Sequence, residues 1–313
     1  MSYTIYYDAY QEAEWFRGLS PHLSGAKLKP INESIEPSLV SLLRYDKPDI
    51  ILYEDQTPRL SLEKTSEVPT GHNVGQRFGR IVCAAEEGVL GIYFGPFLAK
   101  KHGKYASKCW INVRQLEAML KLHGFHNVPS LAVNWQCDAD AELIHNGSES
   151  AKLAELINEL IKSGWNYDIP EVQQIEKDMC EEITEGIKRH AGYGSPPNSA
   201  KIIKTEIYLL DPRLKDYKFP EFFTNRSESL HYVVGMKAGL RSDPFTGTQL
   251  LYDYLYCRTG PTKTERSRNL VMEIPDLSLS DWNAVTNTER KDKRLLVMFP
   301  DILILKDGYA KTS

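Results

Sequence analysis

Two strand-like segments joined by a short turn restrict the fold of this chain more than any other feature. Pro48 ends any preceding helix, and the run Asp49-Ile-Ile-Leu-Tyr-Glu54 is typical of a β-strand. Asp55-Gln-Thr-Pro58 has turn chemistry, and a second strand is predicted over Arg59–Thr65. The sequence therefore predicts a β-hairpin over residues 49–65.

Helices and strands alternate on both sides of this hairpin. A helix is predicted before it over Asn32–Arg44, and another after it from Val74 to about Glu87. Strand-like segments at Val89–Phe94 and Val128–Trp135 flank a predicted helix over Trp110–His123. This alternation predicts the α/β class, with helices packed on a mixed β-sheet.

The second half of the chain begins with two further predicted helices, over Ser150–Gly164 and Pro170–His190. The glycine- and proline-rich segment Ala191–Ser199 then breaks the pattern and is the best candidate for a linker. We therefore predict a core with N-terminal and helical elaborations over residues 1–190, and a C-terminal α+β region over residues 200–313. Strand-like runs in that region are Lys201–Leu210 and Arg294–Leu305.

Composition restricts location more than function. Of the 313 residues, 42% are hydrophobic and 26% are charged, a balance that allows a buried core. The N-terminus lacks the basic head and apolar run of a signal peptide, and no apolar stretch is long enough to span a bilayer. The five cysteines are scattered without a CxxC pair, which argues against a zinc ribbon and favours reduced thiols. We therefore predict a cytoplasmic protein with no membrane partner. The net charge of −4 neither favours nor excludes DNA binding.

The predicted hairpin brings two acids together. Asp49 opens the first strand and Glu63 lies near the end of the second, so a short turn places them side by side. Ser61, Glu63 and Thr65 point to one face of the strand, and Lys64 points to the other. Two adjacent carboxylates repel each other, and a bound Mg²⁺ ion removes that conflict and activates water. Asp49 and Glu63 are therefore the predicted metal ligands, with Mg²⁺ as cofactor.

These residues resemble a known motif. Pro48-Asp49 followed by Glu63-Lys64-Thr65, with a hairpin between them and a helix after them, resembles the PD-(D/E)xK nuclease superfamily, which includes many type II restriction endonucleases. The resemblance covers about residues 30–135. It implies a restriction-endonuclease-like core that hydrolyses phosphodiester bonds of double-stranded DNA with Mg²⁺.

The sequence departs from the family pattern at one position. The family has a catalytic lysine two residues after the glutamate, where this chain has Thr65, and its lysine is one residue early at Lys64. A catalytic role for Lys64 requires a local bulge that turns it toward the metal. Which of Lys64 and Thr65 acts near the attacking water stays open.

Two segments are predicted to bind nucleic acid. The helix after the hairpin carries polar side chains that the resemblance places against phosphates. The loop over residues 258–268 is basic and rich in hydroxyl groups, which suits a DNA backbone or guanine edges. The predicted contacts are Asn73, Gln76, Arg77, Arg80, Arg258, Lys263, Arg266 and Arg268. A homodimer is expected, because cutting both strands of a symmetric site favours two-fold symmetry.

Other interpretations of the same residues remain. Asp49 also suits the start of any strand, and Arg77 and Arg80 also suit a solvated helix face. The change at Thr65 is compatible with an inactive nuclease fold used as a DNA-binding or assembly module, and a nuclease for branched or repair DNA is a further alternative. A second Pro-Asp pair, at residues 300–301, has no E-x-K after it and is interpreted as part of a core hairpin.

Overall fold

A computed structural model of the chain describes residues 2–33, 36–66, 72–97, 110–136, 138, 143–189, 196, 200–235, 245–284 and 291–312. Side chains are not described for helix residues 72–76, 110–112, 189, 245–247 and 291–294. The chain divides into two compact units, Met1–Lys188 and Arg189–Ser313, which we call the N-terminal unit and the C-terminal unit. Each unit has a mixed β-sheet flanked by helices, which confirms the predicted α/β class.

The N-terminal unit has a six-stranded sheet. Its strands are β1 (Tyr3–Tyr7), β2 (Lys27–Pro30), β3 (Ile50–Glu54), β4 (Thr57–Lys64), β5 (Leu90–Gly95) and β6 (Ser130–Asn134), in the order β2-β1-β3-β4-β5-β6. The β1–β3 and β3–β4 pairs are antiparallel, whereas β1–β2, β4–β5 and β5–β6 are parallel. The helices are α1 (Tyr10–Gly18), α2 (Pro37–Leu42), α3 (His72–Glu86), α4 (Trp110–His126), α5 (Ala151–Lys162) and α6 (Pro170–Arg189).

The predicted hairpin is present as β3 and β4. Asp55, at the turn, has a positive φ of 54°, a conformation that aspartate tolerates better than most residues. Near the turn the pairing shifts from Leu52↔Leu60 to Tyr53↔Pro58, so that Arg59 is an extra residue in β4. The guanidinium of Arg59 holds this bulge against the Glu54 carboxylate, with Nη2 at 2.8 Å from Oε2.

Close packing joins α3 to the sheet. Gly91 in β5 lies under α3, where an added Cβ atom would be 3.0 Å from Cγ2 of Ile81. The side chains of Phe78, Ile81 and Val82 in α3 are fully buried, which explains why the polar residues of this helix are confined to one side. Packing therefore fixes the face of α3 that points toward the end of the hairpin.

The C-terminal unit has a five-stranded sheet in the order β11-β10-β9-β8-β7. The strands are β7 (Ala200–Lys204), β8 (Glu228–Val233), β9 (Asn269–Ile274), β10 (Ile302–Leu305) and β11 (Gly308–Ala310). The helices are α7 (Glu206–Leu209), α8 (Glu221–Thr224), α9 (Phe245–Tyr252), α10 (Leu279–Asn283) and α11 (Lys291–Met298). A π-helical turn, Asp253–Cys257, continues α9. The β8–β9 and β9–β10 pairs are parallel, and both edge strands are antiparallel to their neighbours.

Two strand predictions in the C-terminal unit are wrong in extent. The run at 201–210 is a strand only as far as Lys204, after which Glu206–Leu209 forms a helical turn. The run at 294–305 is helical up to Met298, and the strand begins at Ile302. Pro300 lies between these two elements, because proline is unfavourable inside either a helix or a central strand. The second Pro-Asp pair does precede a hairpin, β10–β11, as predicted.

The predicted linker lies almost wholly outside the described residues, since only Pro196 of the segment 191–199 is described. Among the helices that the structure describes, none has the length and apolar character needed to cross a lipid bilayer.

Candidate active site

The strand register places Asp49 opposite Glu63. Ile50 pairs with Leu62 across β3 and β4, so the next pair along the hairpin, away from the turn, is residues 49 and 63. The backbone carbonyl of Asp49 accepts a hydrogen bond of 3.0 Å from the amide of Asp8, which holds residue 49 in the line of the sheet. The Glu63 side chain is only 2% exposed and that of Asp49 is 15% exposed. The two acids therefore lie side by side at one end of the hairpin, as the sequence predicts.

Both carboxylates contact one arginine of α3. Nη1 of Arg80 donates to Oε2 of Glu63 and lies 3.6 Å from Oδ1 of Asp49. Nε of the same guanidinium donates to Oδ2 of Asp46 at 2.9 Å. One turn earlier on the helix, Nε of Arg77 lies 3.2 Å from Oε1 of Glu63. Three carboxylates thus converge on two guanidinium groups.

Burial makes the charged forms of these acids costly. Desolvation raises the pKa of Glu63 to about 8, and the negative charge of Asp49 acts in the same direction, while Arg80 and Arg77 oppose the shift. Burial also raises the pKa of Asp49, against a 2.7 Å hydrogen bond from the Lys64 amide and the charge of Arg80. A third acid, Glu12 of α1, has its pKa raised by burial and by Asp49. Clusters of carboxyl groups with raised pKa values are a common mark of functional sites.

Lys64 lies on the other face of the sheet from Glu63. Its ammonium nitrogen is 4.9 Å from the ring centre of Trp15 and 5.8 Å from that of Trp135, and 3.8 Å from Oε1 of Glu12. The bulge that would turn Lys64 toward the acids is instead near the turn, at Arg59. In this arrangement the Lys64 ammonium is therefore held by aromatic rings and by Glu12.

Thr65 is buried at the end of β4. It is 5% exposed, and its amide donates to the carbonyl of Phe94 at 2.9 Å. A Cβ atom added at Gly95 would be 2.6 Å from Cγ2 of Thr65, so the neighbouring strand approaches this side chain closely. By strand alternation Thr65 shares the face of Glu63. Of the two candidates, Thr65 therefore shares a face of β4 with Glu63, and Lys64 does not.

Two of the four predicted phosphate contacts on α3 are engaged with acids. Arg77 and Arg80 bind the carboxylates described above. Asn73 and Gln76 lie on α3, but their side chains are outside the described part of the chain. Release of either arginine toward a phosphate would leave buried carboxylates in need of another cation.

The basic loop of the C-terminal unit is folded inward. The Arg258 and Arg266 side chains are 1% and 0% exposed, and both bind Oδ2 of the buried Asp253, at 2.8 Å and 2.6 Å. Contact of these two arginines with a DNA backbone requires solvent-facing guanidinium groups, and the structure buries both. Arg268 is partly exposed and binds Glu228 at 2.8 Å. These pairings explain why a loop of basic sequence is not a basic surface.

A second ionic cluster of the C-terminal unit is centred on Glu273. Its Oε2 lies 2.9 Å from Nε2 of His231, and its Oε1 accepts a 2.6 Å hydrogen bond from Nη1 of Arg213. The histidine bond and the arginine together lower the pKa of Glu273 to about 2. Tyr208 closes the cluster, with its hydroxyl 2.8 Å from Nδ1 of His231. The cluster therefore connects α7, through Tyr208, to β8 and β9.

Three residues that contact the predicted site residues were missed from the sequence. Asp46 lies three residues before Asp49, and its spacing in Asp46-Lys-Pro-Asp49 is a signal that could have been used. Glu12 and Trp15 come from α1, in a segment for which no element was predicted. No local pattern connects α1 with the hairpin, because the contact depends on the pairing of β1 with β3.

The oxygen donors of the acid pair suit a hard divalent cation. Asp49 and Glu63 are carboxylates that face a common cation, which is the donor chemistry that Mg²⁺ prefers. The same oxygens are the ones bound by Arg80, so a metal ion would compete with that guanidinium. Among the described residues, no group of three or more His, Cys, Asp or Glu side chains could hold a metal. A divalent metal at this pair would have two protein carboxylates as ligands and would take its other ligands from water or substrate oxygen atoms.

Comparison of the chain with protein-family models, with curated proteins and with solved structures gives no match. A function for this chain therefore has to be inferred from the geometry of the acid site.

Proposed function

We propose that the N-terminal unit is a restriction-endonuclease-like core that hydrolyses phosphodiester bonds of double-stranded DNA with Mg²⁺. The observation that supports this most directly is the placement of Asp49 opposite Glu63, with oxygens of both acids at one cation, Arg80. The hairpin that carries the acids is followed by α3, as the resemblance implies, and by the parallel strand β5.

In this proposal Asp49 and Glu63 hold the metal. When bound, the ion would supply an activated water and would neutralise charge on the phosphate. Arg77 and Arg80 would orient the phosphate oxygens. Thr65 lies on the metal side of β4, and Lys64 helps to position Glu12 and the aromatic side chains of the opposite face. Two copies of the chain related by a two-fold axis would cut both strands.

A plasmid-cleavage assay tests the proposal. The wild-type chain should convert supercoiled plasmid to linear DNA in Mg²⁺ or Mn²⁺ and not in EDTA, whereas Asp49→Ala should reduce the rate by at least about 100-fold. The matched control is Asp168→Ala, because Asp168 is an exposed acid of the same unit. Sequencing of the ends from a digest of long DNA would show whether cleavage is sequence-specific. Cleavage that survives Asp49→Ala would contradict the proposal.

A second candidate function is a DNA-binding module with this fold and no catalysis. The specific observation in its favour is that the guanidinium groups of Arg77 and Arg80 already contact the carboxylates of Asp46, Asp49 and Glu63. Titration calorimetry with Mg²⁺ and Mn²⁺ separates the two candidates. Metal binding that Glu63→Gln weakens supports the nuclease, whereas DNA binding with neither metal binding nor cleavage supports the module. Comparison of intact, nicked and junction DNA as substrates separates restriction-type activity from repair-type activity.

A further inference from the structure

The backbone amide of Lys64 lies just past the end of the pairing between β3 and β4. The last pair of these strands is Ile50↔Leu62, and β3 begins at Ile50, so residue 64 extends beyond its partner strand. A backbone N–H group at such a position needs another acceptor. That acceptor is a side chain, because the amide of Lys64 donates to Oδ2 of Asp49 at 2.7 Å. The next amide, of Thr65, points the other way and donates to a carbonyl of β5.

This hydrogen bond orients the Asp49 carboxylate. Oδ2 faces the amide of Lys64, and the other oxygen, Oδ1, lies 3.6 Å from Nη1 of Arg80. The Asp49 backbone is held separately, because its carbonyl accepts a 3.0 Å hydrogen bond from the amide of Asp8. With the main chain and Oδ2 both held, Oδ1 is the oxygen left to face the cation that Asp49 shares with Glu63.

The Lys64 side chain is anchored on the opposite face of β4. Its ammonium nitrogen lies 4.9 Å from the ring centre of Trp15, 5.8 Å from that of Trp135 and 3.8 Å from Oε1 of Glu12. Both indole rings stack on the ring of Phe94, with ring centres 5.7 Å and 5.2 Å away. Phe94 is fully buried and is the residue of β5 that pairs with Lys64. The ammonium therefore lies against two rings of one stacked aromatic array.

An anchored side chain restricts movement of the backbone that carries it. Cation–π contacts strengthen as the cation loses water, and the Lys64 side chain is only 20% exposed. Withdrawal of the end of β4 from Asp49 would draw the ammonium away from both rings and from Glu12. Alanine at residue 64 would keep the amide but would lose this restraint, because it lacks both the ammonium and the hydrocarbon stem.

We propose that Lys64 is a positioning residue that acts through its backbone amide. The aromatic rings and Glu12 hold its side chain, and its amide holds Oδ2 of Asp49 so that Oδ1 faces the metal position. The inference rests on the proposed function, since it treats Asp49 as a metal ligand. Loss of a hydrogen bond to a ligating group typically lowers metal affinity by about 10- to 100-fold. This role differs from the one that the resemblance implies, in which the ammonium group acts beside the attacking water.

Amide hydrogen exchange of the full chain, measured by NMR in EDTA, tests the backbone contact without a metal. After correction for intrinsic rates, the amide of residue 64 should exchange at least about tenfold faster in Lys64→Ala than in the wild type. Lys64→Arg keeps a cation for the rings and should stay within about threefold of the wild type. Asp49→Ala removes the acceptor and should also speed exchange at this amide. The amide of Thr65 should keep its protection in all of these chains.

Calorimetry with Mn²⁺ on the same variants tests the consequence for the acid site. Lys64→Ala should bind Mn²⁺ at least about tenfold more weakly than the wild type, and Lys64→Arg should restore most of the affinity. Lys177→Ala is the matched control, because that lysine belongs to the same unit and its side chain is 65% exposed. Circular dichroism shows that each variant is folded. If the alanine variant is unstable, Lys64→Met keeps the stem, loses the charge and should shift both measurements in the same direction.

Failure of this inference differs from failure of the proposed function. A wild-type chain that binds no Mn²⁺ but shows the expected exchange pattern would contradict the proposed function and support the contact between Lys64 and Asp49. Unchanged exchange at residue 64 in folded Lys64→Ala would overturn the role assigned to Lys64. Normal Mn²⁺ affinity in that variant, together with lost plasmid cleavage, would also overturn it, because the ammonium would then act in the reaction itself.

Discussion

Replacement of Glu63 by glutamine should change the pH dependence of stability more than the stability at low pH. Burial raises the pKa of Glu63 from 4.5 to about 8. Below pH 4.5 the carboxyl is protonated in both the folded and the unfolded chain, so its ionisation does not lower the free energy of unfolding. As pH rises from 4.5 to 8, the unfolded chain loses this proton first, so the folded state loses stability relative to it. Glutamine resembles the protonated acid and should remove this loss.

The magnitude follows from the shift. One pKa unit corresponds to about 1.4 kcal/mol, so a shift from 4.5 to about 8 sets an upper limit of about 5 kcal/mol on the stability lost by the wild type above pH 8. The free energy of unfolding of Glu63→Gln minus that of the wild type should therefore grow by a few kcal/mol between pH 5 and pH 8.5.

Urea denaturation in EDTA, followed by tryptophan fluorescence, measures this difference. Four of the five tryptophans lie in the N-terminal unit, so the signal reports mainly on that unit. Glu181→Gln is the matched control, because the Glu181 side chain is 65% exposed. Parallel stability curves for the wild type and Glu63→Gln over this pH range would refute the reasoning, since they would mean that Glu63 is ionised in the folded state as readily as in the unfolded one.

Three further predictions concern packing and charge. Gly95→Ala should lower the free energy of unfolding of the N-terminal unit by about 1–3 kcal/mol in urea denaturation, because its methyl group would be 2.6 Å from the short side chain of Thr65; an unchanged value would show that β4 and β5 can separate. Asp253→Ala should lower the free energy of unfolding of the C-terminal unit by about 3–5 kcal/mol, because the two arginines bound to Asp253 stay buried without their carboxylate. Amide hydrogen exchange in β9 and in the π-helical turn should be faster, and unchanged exchange would contradict the prediction. Glu273→Gln should make the free energy of unfolding less dependent on pH between pH 4.5 and pH 2. The lowered pKa of Glu273, about 2, stabilises the wild type above pH 4.5, and the wild type loses this stability as pH falls toward 2. Acid titration followed by circular dichroism measures this, and the same pH dependence in the variant and the wild type would contradict the prediction.

The sequence predicts local features of this fold better than the partners of its side chains. The β3–β4 hairpin and the helix and strand after it follow from short-range patterns of turn residues and apolar spacing, and they are found where predicted. The opposition of Asp49 and Glu63 is found as predicted, but a short turn alone does not give this register, because it depends on the extra residue Arg59 in β4.

The remaining parts of the site depend on contacts distant in sequence. Nothing near Arg80 in the chain indicates that it binds three carboxylates, because α3 reaches Asp46 and Asp49 only once the sheet has formed. The basic loop of the C-terminal unit shows the same limit: its arginines look solvent-facing until the buried Asp253, on the preceding π-helical turn, supplies their partner. The sequence therefore shows which residues are charged, but it does not show whether their side chains are exposed or buried.

The extra residue in β4 gives the two ends of the hairpin different registers. The turn contains only Asp55 and Gln56, and because Arg59 is left unpaired, Leu60 rather than Arg59 lies opposite Leu52. Without the bulge, the same two-residue turn would place Leu62 opposite Asp49 and would take Glu63 away from that position. Changes in turn length are therefore tolerable only where the bulge compensates for them, and whether an acid faces Asp49 is decided some distance away, at the bulge that the Arg59–Glu54 ion pair anchors.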